Sequence, residues 1–164
     1  MKEQIRLRPP RRRVERRAVL WWTLRALLPV LALATPLTWA YVAWEASRPW
    51  AGPLLALVAG GGLLHTAVMP AWRLSVHRWE ATDGAVYALT GWFVREWRIA
   101  PISRVQTVDT VRGPFEQLLG LATLVVTTAS SSGAVRIGGL DPVTASEAAE
   151  RLTEITRRTP GDAT

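Results

Sequence analysis

Ala26-Leu-Leu-Pro-Val-Leu-Ala-Leu-Ala-Thr-Pro-Leu-Thr-Trp-Ala-Tyr-Val-Ala43 holds eighteen consecutive residues without a charge. At about 1.5 Å per residue, a helix of that length covers most of a hydrocarbon core of roughly 30 Å, and extension toward Val19 completes the crossing. Arg25 sits near one end, where its stem can carry the guanidinium back to the headgroups. Pro29 and Pro36 would break a helix in water but are tolerated in lipid, where neighbouring groups re-satisfy the freed carbonyls, and a kink is expected. A second uncharged stretch follows, Trp50-Ala-Gly-Pro-Leu-Leu-Ala-Leu-Val-Ala-Gly-Gly-Gly-Leu-Leu-His-Thr-Ala-Val-Met-Pro-Ala71. Only residues 44–49 separate the two, so the sequence predicts an antiparallel hairpin over residues 18–72, with spans at about 22–43 and 50–71 and both chain ends on one side.

Arginine asymmetry orients that hairpin. Arg11, Arg12, Arg13, Arg16 and Arg17 precede the first span and Arg73 and Arg78 follow the second, whereas in the short connection Glu45 balances Arg48. Positive flanks stay inside, so both termini are expected in the cytoplasm of a multi-pass protein of the cell membrane. Tryptophan placement agrees: Trp21, Trp22 and Trp72 fall at the inner interface, and Trp39, Trp44 and Trp50 at the outer one. The basic-then-apolar start also fits a secretory signal, but a second apolar segment follows and no small-residue cleavage site is evident after the first. The other alternative is a soluble helical domain, which lacks polar surface to cover such faces. Within the spans, His65 reads as a neutral packing residue rather than a proton relay, and Gly60, Gly61 and Gly62 as a notch for close helix approach.

The formal charge of +7 suggests a nucleic-acid binder until it is located. In residues 1–17, Lys2 and seven arginines face only Glu3 and Glu15, whereas from Arg73 onward ten arginines meet ten acids. The C-terminal half is formally neutral and lacks the basic field that nucleic-acid binding needs. The chain has no cysteine, which excludes disulfides, thiolate catalysis and cysteine-ligated metal.

From Trp72 the pattern changes to short, β-branched, alternating runs. Strands are expected near residues 74–81, 85–90, 94–100, 105–111, 122–129 and 134–138. Asp83-Gly84 predicts a type I′ hairpin turn with positive φ at both positions, and residues 130–133 a looser one. Alternation in the third strand predicts a face that buries Trp97 and Ile99. Residues 114–119 form a compact connection, with Phe115, Leu118 and Leu119 plugging one opening of the sheet. A helix then follows Gly139: Asp141 caps it, Pro142 suits the first turn, and Ala145, Ala148, Leu152 and Ile155 form an apolar stripe that packs on the sheet. Residues 160–164 read as a disordered tail.

Chemistry is sparse. His77 is the one histidine outside the spans and has no second histidine to pair with. Ser130-Ser131-Ser132-Gly133 lacks the framing glycines of a nucleophile elbow. No catalytic residue, cofactor or metal is expected, and the chain reads as non-enzymatic.

The arrangement resembles the bacterial pleckstrin-homology-like (YdbS-like) membrane protein family. The residues that carry the resemblance are Trp79-Glu-Ala-Thr-Asp-Gly84, Leu89-Thr-Gly-Trp-Phe93 and Ile99-Ala-Pro-Ile-Ser-Arg-Val-Gln-Thr-Val108, with Gly113-Pro-Phe-Glu-Gln-Leu-Leu-Gly-Leu-Ala-Thr-Leu124 the most specific. It implies an α+β chain: a two-helix transmembrane hairpin followed by a PH-like antiparallel β-roll of seven strands with a C-terminal helix. The domains would be a basic tail (1–17), the hairpin (18–72), the PH-like domain (73–159) and the final tail. It also implies a non-enzymatic scaffolding role at the cytoplasmic membrane face, with the lipid bilayer and a protein partner or second copy as partners and no nucleic acid. Phosphoinositide-binding PH domains use basic residues in the loop joining their first two strands, here taken as residues 82–85, which carry none. Arg104 lies in the family-like stretch and reads either as a structural hydrogen bond closing the barrel or as a functional group. The alternatives are an anionic-lipid sensor, with Arg73, Arg78 and the N-terminal arginines on headgroups, and a transporter accessory subunit.

Overall fold

A computed structural model describes residues 10–130 and 133–158; the tail expected at 160–164 lies outside them, as do Lys2, Arg6 and Arg8. In chain order the elements are β1 (Arg12–Arg13), α1 (Ala18–Ala43), a 3₁₀ turn (Glu45–Ser47), α2 (Arg48–Val76), β2 (Arg78–Ala81), β3 (Ala85–Gly91), β4 (Arg95–Pro101), a second 3₁₀ turn (Ile102–Arg104), β5 (Val105–Val111), α3 (Pro114–Leu119), β6 (Ala122–Thr128), β7 (Val135–Leu140) and α4 (Pro142–Arg158). They form two units, residues 19–72 and residues 1–18 with 73–164.

The first unit is the helix pair. Both helices exceed the length and apolar content needed to cross a bilayer, and very few of their positions are buried, which excludes the soluble-core alternative: Leu31, Leu33, Leu57, Leu63 and Leu64 are all exposed. Thr35 and Thr38 turn their hydroxyls back to donate to the carbonyls of Leu31 and Ala34 at 2.7 and 2.8 Å. The connection is tight because buried Ser47 donates to the carbonyls of Ala40 and Trp44, each at 2.7 Å. Of the three glycines expected to form a notch, only Gly62 does. A Cβ there would stand 2.6 Å from the Val30 side chain, while nothing lies within 4 Å of Gly60 or Gly61.

The second unit has two antiparallel sheets, β1-β2-β3-β4 and β5-β6-β7. Trp79, Val86, Leu121, Leu124, Val126, Leu140 and Leu152 fill the core. Helix α4 packs on β5 and β6 as expected; the Asp141 carboxylate accepts from Val143 N at 3.0 Å, and Ala145, Ala148 and Leu152 are buried.

Several expectations are corrected here. Residues 10–18 are not a plain tail: β1 pairs with β2, and Val14 and Ala18 are buried. The first strand after the spans starts at Arg78, because His77 N still donates to the Arg73 carbonyl at 2.9 Å and prolongs the helical turn. The Asp83-Gly84 turn exists, but neither residue has positive φ; Thr82 closes it instead, its N–H and hydroxyl both donating to the Ala85 carbonyl. In β4 the face expected to be buried is not. Ala100, opposite Val86, is buried, whereas Ile99 is half-buried and Trp97 is 37% exposed.

Residues 114–119 are a helix rather than a hydrophobic plug, with Leu118 83% exposed. Its buried residue is Glu116, whose carboxylate accepts from Gly113 N at 2.7 Å and from the Thr123 hydroxyl at 2.5 Å. The carboxylate staples the start of α3 to β6, and Gly120 ends the helix in the left-handed region so that Leu121 can turn into the core. The most family-like stretch is thus a folding motif.

Two stability outcomes follow. Glu116→Ala leaves two half-buried donors without their acceptor and should lower the stability of the detergent-solubilised protein by about 1–3 kcal/mol, read as a drop in thermal midpoint. Gly62→Leu should destabilise the helix pair by about 1–3 kcal/mol through overpacking against Val30, while Gly60→Leu leaves the midpoint unchanged.

Candidate functional site

The end of the first sheet that joins the membrane helices gathers most of the residues singled out above. Arg12 pairs with Trp79 and Arg13 with Arg78. The Arg12 guanidinium lies over the Trp79 ring, 5.4 Å from its centroid, covering a buried indole with a cation. Arg11 N donates to the Glu80 carboxylate at 3.3 Å, and Glu15 N to the Gly139 carbonyl at 2.8 Å. A Cβ at Gly139 would stand 2.7 Å from that of Ala18, so the segment leading to α1 is seated directly on the β7 backbone.

The arginines expected at headgroups divide. Arg11, Arg13, Arg16 and Arg17 are exposed, Arg12 is exposed but stacked, and Arg73 and Arg78 are half-buried. Between the last two sits buried His77. Desolvation, reinforced by the charge of Arg73, lowers its pKa to about 4, against the opposing pull of hydrogen bonds to the backbone of Arg73 and Gly91. His77 is therefore a neutral group that locks the exit of α2 to the end of β3.

Among the tryptophans, Trp39 is 73% exposed, and Trp44, Trp50 and Trp72 are also exposed. Trp44 and Trp50 meet edge to face at 6.5 Å. Arg25 lies 5.6 Å from the centroid of half-buried Trp21. Trp22 departs from the expected pattern: it is 2% exposed, so its ring is no lipid-facing anchor.

A cleft of about 490 Å³ runs along β4, the edge strand of the first sheet, lined by Trp97, Ile99, Arg104, Thr128, Ser130 and Val135 among others. Arg98 bridges its floor, donating to the Glu96 carboxylate at 2.8 Å and to the Ala134 carbonyl at 3.1 Å. Arg104 holds the second sheet through its backbone, its carbonyl accepting from Ala129 N at 3.0 Å, while its exposed side chain borders the cleft. This bond extends the β5–β6 pairing beyond Val105 and Thr128 within one sheet.

Two features had little sequence signal. β1 is two arginines long, with Val14 the sole apolar residue in its neighbourhood. The loop between the first two strands is therefore the helix pair itself, and residues 82–85 join the second and third; the argument about phosphoinositides drawn from that loop does not apply. The cleft joins residues of β4 to residues between 128 and 135, which lie far along the chain.

Residues 18–156 match the family model for the bacterial PH domain. The UPF0699 transmembrane protein YdbS of Bacillus subtilis (strain 168) is 32% identical over 101 residues, covering 62% of this chain. The chain spans 60% of that relative's length. No solved structure matches.

Because His77 stays neutral in the fold, the unfolded chain takes up a proton near pH 6.5 that the folded chain resists until about pH 4. Its contribution to stability is complete above pH 6.5 and is lost as pH falls toward 4. Comparing urea midpoints of wild type and His77→Gln across that window should show the wild type losing stability with acid and the variant losing less.

Proposed function

This chain belongs to the bacterial PH domain family, and from that premise we propose that it is a two-span anchor displaying a PH module on the cytoplasmic face, where it scaffolds a protein partner. That it is a YdbS-like membrane protein with transmembrane helices is the starting point. Topology draws support from the pairing of β1 with β2: the segments flanking the two helices are hydrogen-bonded to each other, which requires an even number of crossings between them. The arginine-rich flanks support the cytoplasmic side.

The observation that carries the scaffolding role is the cleft beside the β4 edge. An open edge offers main-chain groups to an extended segment, Trp97 and Ile99 offer apolar contact, and Arg104 offers a cation for an acidic side chain. The proposed role is binding rather than catalysis. A lipid-sensing reading has its own support in the exposed Arg11, Arg13, Arg16 and Arg17.

The absence of native cysteine makes the test clean. In intact cells a membrane-impermeant maleimide should label Ala46→Cys in the inter-helix turn and reach Ser103→Cys only after lysis; the reverse pattern overturns the orientation. A photo-crosslinker at Arg104 in native membranes should yield a discrete adduct that Trp97→Ala abolishes. Recovery of uncrosslinked monomer alone in repeated trials overturns the scaffolding role.

A further inference from the structure

The turn between β3 and β4 reads Gly91-Trp92-Phe93-Val94-Arg95. Hairpin turns are ordinarily polar, yet here Phe93 is 79% and Val94 74% exposed. Half-buried Trp92 holds its ring 6.1 Å from that of Phe93, so the two aromatics form one cluster. The tip is firmly built: Gly91 has φ +108, and a Cβ there would stand 1.9 Å from the Val94 carbonyl oxygen, so this tight turn can be made only by glycine. Its position in the sheet follows from register. Arg78 pairs with Leu89 and Arg13 with Arg78. Continuing the β2–β3 register past its last pair sets His77 level with Thr90 and Val76, the last residue of α2, level with Gly91.

Both covalent links to the membrane helices, residues 14–17 into α1 and His77 out of α2, therefore leave the sheet at the end from which Trp92, Phe93 and Val94 project. Arg13, Arg78 and Arg95 stand around the same end. An apolar and aromatic tip ringed by cations is the composition of a segment lying at the boundary between headgroups and acyl chains.

We propose that Trp92, Phe93 and Val94 insert into the interface of the leaflet from which α1 and α2 emerge. Beside the two covalent links to the helices, the hairpin tip supplies a further attachment of the module to the membrane. The proposal rests on anchoring by α1 and α2, so the experiment reports that anchoring separately.

The full-length chain carries a nitroxide at Val94→Cys, at Gly84→Cys in the opposite turn of the sheet, or at Leu57→Cys within α2, in vesicles of phosphatidylethanolamine and phosphatidylglycerol. Power saturation compares collision with oxygen and with an aqueous nickel chelate. At position 94 the ratio of chelate to oxygen accessibility should fall roughly tenfold below that at position 84 if the tip lies about 5–10 Å into the boundary. Adding Phe93→Ser should restore it. A label at 94 as water-accessible as one at 84, with 57 deep, overturns the insertion alone; a shallow 57 overturns the anchoring. Shielding at 94 that vanishes when protein is diluted in lipid marks contact with a second copy and also overturns the insertion.

Discussion

Two backbone pairs, Arg12 with Trp79 and Arg13 with Arg78, join segments that the helix pair separates in the chain. Closing so long a flexible loop costs about 4 kcal/mol in chain entropy, more than two exposed strand pairs can repay. The helix pair removes most of that cost, because antiparallel helices held together at Gly62 and Val30 return the chain near its starting point. The helix pair thus favours the sheet by bringing the flanks that pair as β1 and β2 close in the chain's path.

That pairing changes the meaning of the charge. The arginine cluster supplies both an edge strand and, through Arg12, the cover of a core tryptophan. Replacing Arg12 removes more than a charge, since its guanidinium lies over the Trp79 ring. The remainder of the module is formally balanced and has no long-range field of its own, so any attraction to anionic surfaces is concentrated at one end.

Much of this was legible in the sequence and some was not, for identifiable reasons. The spans were plain because uncharged length is a one-dimensional property, and the strand at Val105–Val111 was found to the residue because its β-branched alternation is undisturbed. The basic segment was misjudged because an edge strand of two arginines has neither hydrophobic periodicity nor length; only pairing with a strand beyond the helices defines it. The burial of β4 was not legible from alternation alone: Ala100 is its buried residue, while the larger apolar Trp97 and Ile99 remain exposed and half-buried. Glu116 was overlooked because a carboxylate reads as surface until its two donors, Gly113 and Thr123, are brought around it. The bordering role of Arg104 was half visible: its place in the family-like stretch drew attention, but the cleft beside it exists only in three dimensions.

The placement of the helix pair between the first two strands also bears on biogenesis. The residues that form β1 leave the ribosome before either helix is made, and their partner emerges after both. If a helix failed to cross, the two halves of this strand pair would be stranded on opposite faces of the bilayer, leaving Trp79 uncovered and the first sheet with a raw edge. Pairing of β1 with β2 therefore requires the segments before and after the helix pair to lie on the same side of the bilayer.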